Sequence, residues 1–119
     1  MINEKNIELK DKFGNKAKFA NRSGWTDVDP VEIVKVISDK TLEVRGMDAE
    51  IDPSFKLDEV AGGFFSHVKN NRDQKWIIKS NPENPVFRIR KSKHGEWKCR
   101  GGSRHILSDE PRKFHDFNF

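Results

Sequence analysis

The chain has 119 residues, 35% of them charged and 34% apolar, with 23 Lys and Arg against 19 Asp and Glu, four His and a single Cys. That length suits one domain with one small core, and a net charge of only +4 with nine Phe and three Trp argues against disorder. No apolar run approaches the ~18 residues of a membrane span, the first residues lack an export signal, and the lone Cys99 excludes an internal disulfide or a cysteine zinc site. A cytoplasmic protein with no membrane contact, metal or cofactor is the expectation.

Residues 1–14 carry Ile2, Ile7, Leu9 and Phe13 as large apolar groups and read as an N-terminal arm or frayed strand ahead of one domain, residues 15–119. Lys16–Ala20 reads as a first strand. Pro30 opens Val31–Ile37, which is rich in β-branched residues. Ser38-Asp39-Lys40 supplies turn chemistry, and Thr41–Arg45 then alternates, with Leu42 and Val44 on one face. So short a polar turn dictates an antiparallel hairpin.

An irregular insert, residues 48–71, follows; so long a connection in a small β domain is either functional or a packed loop. Gln74–Lys79 is the next strand, ended by the turn Asn81-Pro82-Glu83-Asn84-Pro85. Val86–Arg90 and Glu96–Arg100 make a second hairpin around Lys93-His94-Gly95, where Gly95 can take positive φ. Phe87, Ile89, Trp97 and Cys99 fall on its apolar face, and Arg88, Arg90, Lys98 and Arg100 on the other. Arg104–Leu107 adds a short strand. Short strands at close spacing without a helix predict a mainly β fold: a small, partly open SH3-like barrel, with an OB-like barrel as the alternative.

Charge is unevenly distributed. Residues 1–60 hold 10 basic and 13 acidic groups, whereas residues 61–119 hold 13 basic and 6 acidic. From Arg88 to Arg104 seven basic residues face Glu96 alone. Alternate cations on a hairpin form one stripe, a surface that tracks phosphates, so Arg88, Arg90, Lys98, Arg100 and Arg104 are candidate nucleic-acid contacts. The competing reading is a solvated face paired with the protein's own acids, Asp48, Glu50, Asp52, Asp58 and Glu59. Phe87 and Trp97 belong with the core by their alternation. Trp25 and Trp76 are expected to pack as well, although Trp25 lies in a polar turn where it can be exposed.

Gly62-Gly63-Phe64-Phe65-Ser66-His67 is the most unusual string, and with Asn70 it forms a second candidate site. Its amides can make an anion nest, but no Lys-Ser/Thr pair follows, so it is not a Walker-type loop. The competing reading is a glycine turn that buries a Phe. No His pair among positions 67, 94, 105 and 115 has metal-ligand spacing, and no catalytic residue is expected. The tail from Arg112 to Phe119 alternates Phe117 with Phe119, as a docked last strand would.

Three stretches together resemble a family of small proteins encoded by tailed phages and prophages. They are the hairpin Val34–Arg45, the string Gly62-Gly63-Phe64 with His67, Asn70 and Gln74-Lys75-Trp76, and the ending Arg112–Phe119. The similarity spans residues 15–119; relatives carry Tyr where this chain has Phe117 and Gln where it has Asn71. The resemblance implies a viral accessory protein acting in the host cytoplasm, and no reaction. Nucleic acid bound by the basic hairpin is the first expectation for its partner. A host enzyme or defence complex, intercepted by a protein-binding module with the acidic segment Asp48–Glu59 at its surface, is the second.

Overall fold

The computed structural model describes residues 1–56, 59–62, 65–68 and 71–117, with only the backbone described for 59–62, 65–68 and 71. The β-strands are β1 (Phe19–Ser23), β2 (Val28–Asp29), β3 (Val31–Ser38), β4 (Thr41–Gly46), β5 (Asp48–Ile51), β6 (Glu59–Gly62), β7 (Phe65–Val68), β8 (Trp76–Lys79), β9 (Val86–Lys91), β10 (Trp97–Cys99) and β11 (Arg104–Ser108). A single 3₁₀ turn, Asn71–Asp73, is the only helical element among the described residues.

Six strands form the body of the fold in the order β1-β3-β4-β9-β10-β11, each antiparallel to the next, and β11 pairs back with β1. The fold is therefore mainly β, with a closed antiparallel barrel. Closure corrects the expectation of a partly open barrel: five register pairs, from Phe19↔Ser108 to Ser23↔Arg104, leave neither β1 nor β11 with a free edge there. The six barrel strands follow one another around the barrel in chain order, as a meander.

Alternation fills the interior. Leu42, Val44, Ile89, Ala20, Val31, Ile33 and Trp97 are buried there, with Phe87, Cys99 and Leu107 packed against them. Strict alternation in β3 would turn Lys35 inward. Register shifts between Ile33 and Lys35 and between Val36 and Ser38 place Val36 in the core instead. Such bulges add a residue and bend the strand, which helps a six-stranded sheet curl shut.

The first strand begins three residues later than the sequence suggests, because Lys16 and Ala17 pair with the segment before them: Lys16 bridges Lys10, and Ala17 N–H donates to the Leu9 carbonyl at 2.9 Å. Residues 1–14 run along the barrel. Ile2 bridges Lys35 in parallel, Leu9 is buried in the core and Ile7 packs against it. The region 48–71 is not irregular. Its β5 pairs with β8 from Asp48↔Lys79 to Ile51↔Trp76, and β6 pairs with β7. Since β4 and β9 are themselves paired, β5 and β8 prolong that hairpin as a ribbon beyond the barrel.

Candidate nucleic-acid interface

The basic residues come together because β9, β10 and β11 are neighbours. Lys98 lies directly opposite Arg90 on one side and Arg104 on the other, and Arg104 in turn opposes Ser23 of β1. Residues directly opposite in an antiparallel pair share a face. Arg90, Lys98, Arg104 and Ser23 therefore form one outward row across four strands, with neighbours ~4.8 Å apart along it. Arg88 stands beside this row, two residues from Arg90 along β9, and Arg100 lies two residues past Lys98 in the turn after β10; all five cations are exposed. Their backs are Trp97 and Ile89, both buried in the core.

Two tight turns set the ends of these strands. Gly95, at φ 84°, closes the β9–β10 turn with its N–H on the Ser92 carbonyl at 2.9 Å, and Gly102, at φ 87°, closes the β10–β11 turn on Cys99. Left-handed backbone of this kind is open to glycine at little cost.

Between β3 and β4, opposite charges face each other and pair. Glu32 of β3 accepts from Arg45 of β4 at 2.7 Å and from the Ser80 hydroxyl at 2.8 Å. The basic row is different. Arg88 has Glu43 at 3.5 Å and Lys98 has Glu96 at 3.8 Å, while Arg90, Arg100 and Arg104 have no carboxylate within 4.0 Å among the described residues. Two of the acids proposed as internal partners are engaged elsewhere: Asp48 accepts from Asn81 and Asn84, and Asp52 from the Ser54 N–H, which holds its carboxyl below the usual range; Glu50 is exposed and has no basic side chain within 4.0 Å among the described residues. Asp58 and the side chain of Glu59 lie outside the described residues.

A depression of about 720 Å³ opens between Arg88, Arg90, Lys98 and Arg100, with Phe87, Cys99 and Gly101 completing its lining. Burial pushes the Cys99 thiol up, but hydrogen bonds from the Ser103 and Gly101 backbone and the Ser103 side chain outweigh it, so the thiol sits below its ordinary value. A phosphate entering here meets guanidinium and ammonium groups from two strands. Bidentate arginine contacts suit that geometry.

The second candidate site is mostly beyond view. Gly63, Phe64 and Asn70 lie outside the described residues; Gly62 closes β6 opposite Phe65, and His67 sits in β7 opposite Val60, with no side chain described. His115 is drawn into the tail's attachment. Its Nδ1 lies 3.3 Å from Asp27, its N–H donates to Gln74 at 3.0 Å, and Gln74 donates back to its carbonyl. Among the described residues the tail docks by one bridge, Phe114↔Val28, and by Lys113 on Asp29 at 2.7 Å, with no strand after β11. Phe119 lies outside the described residues. His105 faces inward, and its Nδ1–H donates to the Ala20 carbonyl at 3.0 Å while Nε2 is buried without a partner among the described residues. Burial holds this imidazole below its ordinary pKa, against the raising effect of Ala20 and with the nearby Arg22 charge lowering it further.

Trp25 takes the exposed of the two positions its polar turn left open. It is 99% exposed in the β1–β2 turn, whereas Trp97 is buried and Trp76 lies half-buried beneath Lys113 Nζ, 5.4 Å from its ring centroid. Among the described residues no three His, Cys, Asp or Glu side chains gather where they could hold a metal ion. No protein-family model, curated protein or solved structure matches this chain.

Proposed function

We propose that this is a phage-type accessory protein, not an enzyme, that binds nucleic acid chiefly through its phosphates along the outer face of β9, β10 and β11. Its setting would be the cytoplasm of a host cell. One observation carries the reading: Arg90, Lys98 and Arg104 stand directly opposite one another in three adjacent strands. Like charges so placed destabilise a sheet, and an anionic ligand removes that cost. Within the small barrels, the meander order supports an SH3-like assignment.

Electrophoretic mobility shift at low salt tests the proposal. DNA or RNA should be retarded, with affinity falling steeply as salt rises. Reversing Arg88, Arg90, Lys98, Arg100 and Arg104 to Glu should abolish the shift for every sequence tried. Absence of any shift by the unaltered protein at low salt overturns the reading.

The ribbon of β5 and β8 favours a second reading, a module that binds a host protein. Among the described residues it is two strands wide, and it exposes Ile51 and Ile77. Unpaired strand edges offer main-chain bonds to a partner. Capture from host lysate that survives nuclease treatment would favour this alternative; capture lost with nuclease favours the first.

A further inference from the structure

We infer that the nucleic acid taken by this face is single-stranded, with bases stacking on Trp25; the inference rests on the phosphate-binding reading above. The cation row ends at Ser23, opposite Arg104, and Trp25 follows two residues later in a turn closed by the Gly24 N–H on the Asp27 carbonyl at 2.8 Å. At 99% exposure the indole covers no part of the core and offers both faces to a ligand. A second exposed ring lies nearby. Phe13, 70% exposed, lines an open cleft of about 190 Å³ with Ser23, Val28, Ile106 and Arg112. Lys12 Nζ sits 5.1 Å from the Phe13 centroid, over one face of that ring.

The last position of the cation row, Ser23, thus lies two residues from one exposed ring and lines the same cleft as another. A pairing of cations with open rings distinguishes single strands from duplexes. A duplex presents phosphates but keeps its base faces in its own stack, whereas an unpaired strand offers each base to a ring beside the backbone track. The two acids that follow Trp25 in the chain are engaged: Asp27 accepts from the Asp116 N–H at 2.9 Å, and Asp29 pairs with Lys113 at 2.7 Å and Arg22 at 3.9 Å.

The test titrates oligothymidylate and a DNA hairpin duplex into the protein at low salt, following tryptophan fluorescence and mobility shift. Oligothymidylate should bind more tightly and quench the fluorescence; the duplex should bind without quenching. Trp25→Ala should weaken oligothymidylate about tenfold (about 1.4 kcal/mol) and remove the quenching. It should leave duplex affinity and the salt dependence unchanged, since no charge is lost, and Trp25→Phe should recover most of the affinity. Equal affinity of Trp25→Ala and the unaltered protein for oligothymidylate, or a preference for duplex, overturns this inference and leaves the phosphate reading standing. Failure of the unaltered protein to bind either nucleic acid overturns both.

Discussion

Lys98→Glu should make the barrel more stable and the ligand weaker. Lys98 has Arg90 and Arg104 directly opposite, so the substitution turns two like-charge cross-strand pairs into two opposite-charge pairs. Each such pair is worth ~0.2–1 kcal/mol on a sheet. The substitution also loses the exposed Glu96 pair, at 3.8 Å, and places two carboxylates together. Exposed pairs of that kind count for a few tenths, so the net gain should be ~0.5–1 kcal/mol at low salt. For a domain of this size that is about 2–5 °C in Tm. The gain should shrink as salt screens the row. In the same protein the slope of log K against log salt should become shallower by ~0.7 for a single strand, as one phosphate contact disappears. Thermal melts at two salt concentrations, paired with binding isotherms across a salt series, read both effects. A variant that melts lower at low salt would refute the argument that the row repels itself. Unchanged binding with raised Tm would refute the claim that the row meets phosphate.

Three further outcomes follow from the geometry. Ile89→Ala, at a fully buried position paired with Leu42 across β9 and β4, should cost about 2–5 kcal/mol in urea unfolding and bring the barrel close to collapse; a loss under ~1 kcal/mol would contradict the assigned core. His105 has a folded-state pKa below its unfolded value, so as pH falls through ~6.5 the unfolded chain gains a proton that the folded chain refuses. Unfolding free energy should therefore drop in that window, by at most ~1.4 kcal/mol per pH unit, level off below the folded pKa, and do so less in His105→Gln; an unchanged profile in the variant would assign the effect elsewhere. Cys99, lining the depression between the arginines, should react with iodoacetamide faster than a free thiol at neutral pH, and bound oligonucleotide should slow it. No protection would move the ligand away from that depression.

The hairpins were readable because their alternation is local. Leu42 and Val44 against Thr41, Glu43 and Arg45, and Phe87 and Ile89 against Arg88 and Arg90, sort into inner and outer faces as the sequence indicates. Where the backbone departs from period two, reading fails. Val36 enters the core only because of the β3 bulges, and no residue of Val31–Ser38 announces them. Leu9 gave no clue of burial either, since its role depends on Ala17 returning alongside it. The ribbon of β5 and β8 was hidden for another reason: Asp48-Ala49-Glu50-Ile51 is polar and half-exposed, and carries little of the pattern that marks a buried strand.

Topology decides whether the basic run becomes a surface. Residues from Arg88 to Arg104 are neighbours in the chain, but they form one face only because β9, β10 and β11 are consecutive in a meander. A Greek-key order would insert another strand between them and break the row. Closure then extends it. Arg104 meets Ser23 through the β1–β11 pairing, which joins residues more than 80 positions apart in sequence. Loop closure over so long a segment leaves no local signature, being rewarded only when the rest of the barrel is in place. An open barrel would leave Trp25 beside an unpaired edge, away from the cations. The closed one sets an exposed indole two residues past the end of the cation row, so the feature least visible in the sequence is the one on which the proposed single-stranded ligand rests.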